Sequence, residues 1–205
     1  MESSDDATQL AAWRQGDDAA GRALFERYFD PLYRFFRNKA PNDVDDLVQD
    51  TFLSLVKNTV PFRGEASFRT YVFRVARSRL YDRARAWARR ETVDVSVTSM
   101  ADLRPSPSSI LGDKQEEKLV TMALRTLSIE QQTLISLFYF EEMSGSELAE
   151  VMELPEGTVR SRLRLAKEAL KTQVEALASS RALAESTANR LEVWLTEVRG
   201  VLSKR

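Results

Sequence analysis

A long stretch without hydrophobic periodicity divides this 205-residue chain into two parts. Residues 91–113 are rich in Val, Thr, Ser, Asp and Pro, and they include the run Arg104-Pro105-Ser106-Pro107. Compact domains rarely contain a structureless loop of this length, whereas linkers between domains often have this composition. The apolar residues on both sides recur at three-to-four spacing, which is typical of helices. We therefore expect an all-α protein in which a flexible linker joins two small helical domains.

Apolar residues recur at helical spacing through residues 5–40. A short first segment carries Leu10, Ala11 and Trp13, and a second segment carries the predicted core face Leu24, Phe25, Tyr28, Phe29, Leu32, Phe35 and Phe36. Because proline lacks a backbone N–H, Pro31 should bend the second helix or begin a new turn of it. An aromatic stripe at this spacing is more often core than a ligand pocket, so we interpret it as core.

A third helix is predicted from Val44 to Asn58, with Asp43 as its N-cap. Its apolar side consists of Val44, Leu47, Val48, Thr51, Phe52, Leu55 and Val56. The other side, near the N-terminus, carries Asp45, Asp46, Gln49 and Asp50. These residues either complement the helix dipole or form an acidic docking face for a basic partner, and composition alone leaves both interpretations open.

A basic segment follows, with nine arginines between Arg63 and Arg90 against two carboxylates. Pro and Gly indicate a loop at residues 59–66, after which Ser67 is the predicted cap of a fourth helix. That helix should bury Phe68, Val72, Val75, Ala76 and Leu80, and present Arg69, Arg74, Arg77 and Arg83 to solvent or a polyanion. Aromatic rings interleave with the arginines at Phe62, Phe68, Tyr71, Phe73, Tyr81 and Trp87. Arginine with interleaved rings indicates nucleic-acid binding, and the alternative is a solvated amphipathic helix.

The second part of the chain begins with two predicted helices. The first runs from Gln115 to Leu127, and the second is capped by Ser128, which forms a capping-box pattern with Gln131. The predicted core residues of the second helix are Ile129, Leu134, Ile135, Leu137, Phe138 and Phe140.

The most specific local pattern in the chain comes next. Residues 144–152 predict a short helix, Glu153-Leu154-Pro155 a tight turn, and residues 156–167 a second helix, which together indicate a helix-turn-helix. One face of the second helix should be buried, and it consists of Val159, Leu163, Ala166 and Leu170. The residues expected to be exposed are Thr158, Arg160, Ser161, Arg162, Arg164 and Lys167. Hydroxyl and guanidinium groups at the start of such a helix suit readout of the major groove. The alternative is an ordinary helical hairpin with a basic surface.

The C-terminal segment, residues 173–205, carries a further amphipathic stripe. Its apolar members are Leu191, Trp194, Leu195, Val198, Val201 and Leu202, opposite Arg190, Glu192, Glu197 and Arg199. A stripe of this kind has to be buried against this chain, a second copy or a partner.

Composition excludes several classes of function. The chain has no Cys and no His, which removes thiol and imidazole nucleophiles and the zinc sites built from those ligands. With no phosphate-cradling Gly-rich loop either, we expect no enzyme, no cofactor and no metal. No apolar run is long enough for a membrane span, and the acidic N-terminus is unlike a signal peptide, so a soluble, cytoplasmic protein is expected. Although the net charge is only −1, acidic and basic residues are concentrated in separate segments of the chain.

Residues 8–172 resemble the sigma-70-like sigma factors of bacterial RNA polymerase, in particular the small extracytoplasmic-function (ECF) group. The helix Asp45-Asp46-Leu47-Val48-Gln49-Asp50-Thr51-Phe52-Leu53 is similar to the family's helix that docks on the clamp coiled coil of the polymerase's largest subunit. The resemblance implies domains at residues 1–90 (sigma2-like) and 114–172 (sigma4-like), a linker at 91–113 and a helical extension at 173–205. It also implies a protein that directs promoter recognition and transcription initiation without catalysis.

The resemblance assigns roles to the basic segments as well. Residues 62–77 are similar to the loop and helix that melt and read the −10 promoter element, with Phe62, Arg63, Ser67, Phe68, Arg69, Tyr71, Arg74, Arg77 and Ser78 as the expected DNA-binding residues. Residues 155–170 are similar to the −35 recognition helix, where Thr158, Arg160, Ser161, Arg162, Arg164 and Lys167 are expected to bind DNA. The docking residues implied on the third helix are Asp45, Asp46, Leu47, Gln49, Asp50, Phe52 and Leu53. The expected partners are core RNA polymerase (its clamp and the flap of its second-largest subunit), promoter DNA and an anti-sigma factor.

The chain departs from the family pattern at three positions. Ser78 stands where Asn is common, Leu165 stands where Arg is common, and Glu153 stands at the usual Gly of the turn, where we expect strain at positive φ or a different turn. A stand-alone helix-turn-helix regulator remains the alternative function. For the C-terminal stripe the hypotheses are packing on one of the two domains to modulate access to DNA or polymerase, docking of an anti-sigma factor, and a dimer contact.

Overall fold

The computed structural model describes residues 2–57, 67–91 and 114–203. Its regular elements in these ranges are helices, as expected for an all-α protein. The predicted linker and the loop with Phe62 and Arg63 lie outside the described residues. Within the described ranges, no helix is long and apolar enough to cross a membrane.

Two antiparallel helices open the first half: α1 (Glu2–Arg14) and α2 (Asp18–Arg37). Asp17 caps α2 by accepting hydrogen bonds from the N–H groups of Ala19 (2.9 Å) and Ala20 (3.1 Å). The helix assignment of α2 continues unbroken through Pro31. Most of the predicted aromatic face is buried, but the prediction was wrong for Phe25, which is 43% exposed at the edge of the apolar stripe.

Helix α3 (Val44–Val56) buries the predicted apolar side almost completely. Asp43 occupies the N-cap position, but its side chain makes no capping hydrogen bond. Its carboxylate instead accepts a 2.8 Å bond from Arg83 Nη1. In the bond to Arg83 both partners are ionised, whereas in a cap the carboxylate would pair with an uncharged N–H group.

Helix α4 (Phe68–Glu91) packs against α3 and buries Phe68, Val72, Val75, Ala76 and Leu80, as predicted. Ser67 accepts a 3.1 Å bond from the Thr70 N–H, which is the geometry of an N-cap. The arginines of α4 do not form the open basic face that the sequence predicts. Arg69, Arg77 and Arg83 are each bonded to acceptors on other segments of the chain.

The second half begins with α5 (Gln115–Thr126) and α6 (Ile129–Ile135). The capping box of α6 is present, with Gln131 N–H donating to Ser128 Oγ at 3.3 Å and Ser128 N–H donating to Gln131 Oε1 at 3.1 Å. A π-helical turn, Ser136–Phe140, continues α6. Its wider turn changes the direction of successive side chains, and Phe138, predicted as core, is therefore 36% exposed.

The helix-turn-helix consists of α7 (Gly145–Met152) and α8 (Glu156–Leu177). Glu153, between them, has φ of 56°, so the positive φ expected at this position is observed. This conformation costs a residue with a Cβ about 1–2 kcal/mol. Helix α8 continues ten residues past Lys167, through the predicted domain boundary at residue 172.

Two short helices complete the chain, α9 (Arg181–Asn189) and α10 (Leu191–Ser203). The stripe of α10 is buried in one cluster with α5 and α8, through Trp194, Leu195, Val198 and Leu202. Helix α10 also packs on the π-helical turn and on α2. The stripe therefore packs on the second half of this chain, which is the packing that the first of the three hypotheses states, and the helix as a whole also contacts α2.

One hydrophobic core runs across the two halves. The cluster that contains α1 to α4 also includes Leu148, Val151 and Met152 of α7 and Val159 of α8. Helix α7 lies directly against α4. The two helical parts are consequently packed together in this conformation, with the helix-turn-helix placed on the basic helix.

Candidate nucleic-acid interface

The acidic residues of α3 form an exposed surface. Asp45, Asp46, Gln49 and Asp50 are open to solvent, and so is Leu53, which is 44% exposed. Leu47 and Phe52, which the sequence assigned to the same site, are buried beneath this surface and support it. The result is an acidic surface with an apolar spot, which fits a basic partner with an apolar contact of its own.

Phe25 extends this surface, and the sequence analysis missed it because the aromatic stripe of α2 was assigned to the core. The ring of Phe25 lies 5.0 Å from the ring of Phe52 and 5.0 Å from that of Phe29. The exposure of Phe25 depends on how α2 and α3 pack, which the helical period does not specify. Phe25 and Leu53 together give the acidic surface an apolar edge.

Arg83 joins the acidic surface to the basic helix. Its guanidinium contacts Asp43 at 2.8 Å, Asp50 at 3.3 Å and Asp46 at 4.0 Å. These contacts fix the start of α3 against the middle of α4. Arg83 therefore has a structural role here, and the carboxylates of Asp46 and Asp50 remain largely exposed for a partner.

Two of the expected −10 residues are buried in this conformation. Phe68 and Tyr71 are 0% and 1% exposed, and the Phe68 ring makes an edge contact with Tyr28 at 5.7 Å. Burial also raises the pKa of the Tyr71 phenol, against the opposing effect of Arg14. Rings in this environment do not stack on bases, so these two residues support the helix from behind.

The remaining expected −10 residues on α4 are partly exposed, namely Ser67, Arg69, Arg74, Arg77 and Ser78. The Arg74 guanidinium lies 5.7 Å from the centre of the Tyr71 ring. Arg69 Nη2 donates to the Glu141 carbonyl and lies 3.4 Å from Glu141 Oε2. Arg77 Nη1 donates to the Val151 carbonyl at 3.2 Å and to Glu153 Oε2 at 3.1 Å. The second half of the chain thus provides the acceptors for two of these arginines.

The expected −35 residues lie around the part of α8 that is not buried. Arg160, Ser161 and Arg164 are exposed, and Thr158, Arg162 and Lys167 are partly exposed. Each basic side chain pairs with a carboxylate: Arg160 with Glu156 (2.9 Å), Arg162 with Glu130 (2.8 Å), Arg164 with Glu168 (2.6 Å) and Lys167 with Glu192 (2.9 Å). Exposed pairs are worth at most about 1 kcal/mol, so a phosphate can displace these carboxylates.

Lys167 connects this helix to the C-terminal segment. Glu192 of α10 accepts bonds from Lys167 Nζ and from the Tyr139 hydroxyl, both at 2.9 Å. Contacts with Tyr139 and Glu192 raise the pKa of Lys167, while those with Lys167 and Tyr139 lower the pKa of Glu192. Lys167 is therefore charged at neutral pH.

Charged groups also lie buried between the two halves. Glu141, at the end of the π-helical turn, is 2% exposed and accepts a 2.8 Å bond from Arg34 Nε. Lys39 Nζ donates to Ser136 Oγ at 2.7 Å and to the Phe35 carbonyl at 2.6 Å. Burial lowers the pKa of Lys39 to about 7, although nearby Glu141 acts in the opposite direction. In the described residues, no cluster of acidic side chains is arranged to hold a metal ion.

Comparison with known families identifies both halves of the chain. The model "Sigma-70 region 2" matches residues 24–91, which contain α3 and α4. The family model "Sigma-70, region 4" matches residues 117–170, which contain α7, the turn and residues 156–170 of α8. The acidic helix, the basic helix and the expected −35 residues therefore all lie within matched segments.

Curated relatives match over most of their length. The ECF RNA polymerase sigma-E factor of Haemophilus influenzae is 30% identical over 176 residues, which cover 80% of this chain and 92% of that protein. The ECF RNA polymerase sigma-E factor of Escherichia coli K12 is 26% identical over 174 residues, covering 80% and 91%.

Two solved structures share the fold. CnrH, in complex with the cytosolic domain of CnrY, has a TM-score of 0.59 at 25% identity and covers 85% of this chain and 99% of its own. The sigma factor RpoE of Bartonella quintana, in complex with the anti-sigma factor NepR, has a TM-score of 0.57 at 22% identity, covering 77% and 98%. The second likeness concerns the fold alone.

Proposed function

Because this chain belongs to the sigma-70 family of RNA polymerase sigma factors, in the ECF group, we propose specific roles for three of its surfaces in transcription initiation. Membership means that the protein binds core RNA polymerase and promoter DNA and directs transcription. The observation that carries this conclusion is the presence of both regions in the family order. A stand-alone helix-turn-helix regulator is not favoured, because it leaves region 2 without a role.

The exposed surface of α3 is the proposed docking site for the polymerase clamp coiled coil. Asp45, Asp46 and Asp50 supply negative charge, and Gln49 supplies hydrogen bonds. Leu53 and Phe25 supply apolar area beside the charges, and buried Leu47 and Phe52 hold the helix in place. An apolar contact surrounded by charges combines affinity with orientation, which a stable subunit contact requires.

The basic side of α4 is the proposed −10 site. Ser67, Arg69, Arg74, Arg77 and Ser78 line it, and Phe62 and Arg63 from the preceding loop are proposed to complete it. Arginine donors suit phosphates and base edges, and an aromatic ring in the loop suits an unstacked base. Phe68 and Tyr71 are proposed to act by supporting the helix, because both rings are buried.

The exposed side of α8 is the proposed −35 site. Thr158, Arg160 and Ser161 lie in its first two turns, the part of a recognition helix that reaches base edges. Arg162, Arg164 and Lys167 follow and suit phosphates. Leu165, 51% exposed, offers an apolar contact such as a thymine methyl group.

Further partners follow from family membership. The flap of the second-largest polymerase subunit is the proposed contact of the second domain, and an anti-sigma factor is a proposed regulator, because both solved relatives are complexes. A protein that works with RNA polymerase is proposed to act in the cytoplasm, without catalysis of its own.

Start-site mapping tests these roles. The purified chain is added to core bacterial RNA polymerase and genomic DNA fragments, and the transcription starts that depend on it are sequenced. We expect discrete starts that share one −35 and one −10 sequence. Asp45→Arg should abolish every start by repelling a basic partner, whereas Glu175→Arg, which also reverses a carboxylate's charge at an exposed position, should not.

The same experiment separates docking from promoter reading. Arg160→Ala should reduce the number of starts and relax the −35 sequence preference without loss of polymerase binding. The control is Arg181→Ala, because Arg181 in α9 forms a similar i,i+4 ion pair. Binding of duplex DNA without polymerase-dependent starts would contradict the proposed function and restore the stand-alone regulator.

A further inference from the structure

Arg14, the last residue of α1, lies outside every surface to which the proposed function gives a role. It also precedes residues 24–91, the segment that matches region 2. Its guanidinium nevertheless reaches two helices of that segment. Nε and Nη2 both donate to the Leu55 carbonyl, at 3.0 and 2.5 Å, and Nη2 lies 3.5 Å from the Tyr71 hydroxyl. Arg14 therefore joins α1 to the end of α3 and to the start of α4.

The Leu55 carbonyl belongs to the last turn of α3, which ends at Val56. The last four carbonyl groups of a helix lack an N–H partner four residues further along the same helix, and they carry the negative end of its dipole. Two N–H groups of one guanidinium directed at such a carbonyl satisfy the hydrogen bond and complement the partial charge. Arg14 thus fixes the C-terminal end of α3.

Tyr71 belongs to the first turn of α4, where the proposed −10 residues begin. Its side chain is 1% exposed, and its ring lies 5.9 Å from the ring of Phe68. The phenol hydroxyl is the polar end of this buried ring, and the Arg14 guanidinium lies beside it. The same guanidinium is therefore placed between the end of α3 and the start of α4.

Helix α1 is itself held firmly enough to act as a support. Leu10 is 1% exposed, and the Trp13 ring makes an edge contact with the Phe52 ring of α3 at 6.2 Å. Asp6 is 2% exposed and accepts a 2.6 Å bond from the Tyr28 hydroxyl of α2. These contacts fix the backbone that carries Arg14, so its guanidinium is a rigid link between α3 and α4.

Two arginines consequently hold α3 against α4, one at each end of α3. Arg83 of α4 contacts Asp43 at 2.8 Å, at the start of α3, and Arg14 contacts Leu55 at its end. Helix α3 carries the proposed docking surface, and α4 carries the proposed −10 site. The angle between the two helices therefore determines where docked polymerase presents the −10 residues. Binding groups have to be held within about 0.5 Å of their productive positions, which requires supporting contacts of this kind.

We propose that Arg14 is a positioning residue for promoter opening: it fixes the start of α4 relative to α3. This inference rests on the proposed roles of α3 and α4. In the sequence, residues 58–66 connect the end of α3 to Ser67, so Phe62 and Arg63 lie between the two points that Arg14 joins. In this role Arg14 acts through α4 and does not itself contact DNA.

Promoter opening by the complete holoenzyme tests this role. Arg14→Met removes the N–H donors, and Arg14→Lys keeps the charge but loses the planar fork that reaches two acceptors. At a promoter found by start-site mapping, the permanganate reactivity of thymines in the −10 element measures the opened fraction. We expect Arg14→Met to lower this fraction about tenfold and Arg14→Lys about threefold, with unchanged binding to core polymerase.

A second template separates positioning from a general loss of structure or docking. In this template mismatches keep the −10 element melted, so opening is already favourable and a tenfold weaker preference for the open state has little effect on its population. Arg14→Met should then give starts within about twofold of the wild type. A chain that folds or docks poorly would lose starts on both templates.

The outcomes are distinguishable. Arg181→Met, the same change at an exposed arginine of α9, should open the promoter as the wild type does. Arg14→Lys retains the charge, so it tests the role even if Arg14→Met impairs folding. Equal losses of Arg14→Lys on the two templates, or wild-type opening by both Arg14 variants, overturn the proposal. Absence of starts from the wild-type chain would overturn the proposed function, and this role with it.

Discussion

Lys39 shows how strongly one residue depends on its surroundings. By sequence it is a lysine near the end of an amphipathic helix, a position at which the side chain usually reaches solvent. In the structure it is 1% exposed, with its ammonium group 4.0 Å from the centre of the Phe35 ring. Burial disfavours the charged form, and the pKa of Lys39 is accordingly lowered to about 7.

The lowered pKa of Lys39 predicts that the chain becomes more stable as the pH rises above 7. The unfolded chain keeps this lysine protonated up to about pH 10.4, whereas the folded chain releases the proton near pH 7. The unfolded state therefore binds more protons in this window, and the free energy of unfolding should rise by up to about 1.4 kcal/mol per pH unit from this group.

Urea unfolding at pH 7 and pH 9 checks this prediction. Lys39→Met should remove the Lys39 contribution to the slope and should retain or increase stability at pH 7, because no buried charge remains. Lys57→Met, at an exposed position after α3, is the matched control and should keep the wild-type slope. Equal slopes for Lys39→Met and the wild type would contradict the assignment.

Helix α10 shows that the burial of an apolar helix face depends on the helices that pack against it. Its stripe of apolar residues is evident from the sequence, but the surface that covers the stripe becomes known only from the fold. Trp194 is 5% exposed, in a cluster with α5 and α8, and the Lys114 ammonium lies 5.3 Å from its ring. The C-terminal segment is therefore part of the second core.

Truncating Trp194 should destabilise the chain. Trp194→Ala removes a large buried ring and should lower the free energy of unfolding by about 3–5 kcal/mol. Val193→Ala alters the neighbouring residue, which is 45% exposed, and should change stability by less than about 1 kcal/mol. Chemical denaturation of both variants distinguishes the two, and a similar small effect for both would mean that α10 is not packed in solution.

The two helical domains share a hydrophobic core in this conformation. The core that begins in α1 to α4 continues into α7 and the first turn of α8. Charged groups at the junction, above all Glu141, are sequestered from water by this contact. Because the two halves share buried surface, each stabilises the other in the free chain.

This shared core predicts a single cooperative unfolding transition for the free chain. In scanning calorimetry the calorimetric and van't Hoff enthalpies should agree, as for one cooperative unit. Glu141→Gln should broaden or divide the transition because it weakens the junction, and Glu150→Gln should not. Two separate transitions in the wild-type chain would contradict a core shared by the two halves in solution.

The amino-acid sequence was sufficient to predict the helices and most of the residues that they bury. Local signals specify these features: the capping box of Ser128, the period that buries Val159 and Leu170, and the turn at Glu153. The same signals identified the sigma-factor pattern, because acidic and basic residues at fixed spacing define it. These signals lie within one helix and its caps, so they can be interpreted without knowing how the helices pack.

The exposure of individual charged and aromatic side chains depends on how the helices pack, and it could not be predicted from the sequence. Phe25 is exposed and Phe68 buried, although both belong to apolar helix faces, because exposure depends on the neighbouring helix. Arg69 and Arg77 face carboxylates and carbonyls that lie more than seventy residues away along the chain. Contacts between residues so far apart in the sequence arise from the packing of whole helices. The periodicity within one helix carries no information about that packing. That packing placed the helix-turn-helix domain on the arginines proposed to read DNA.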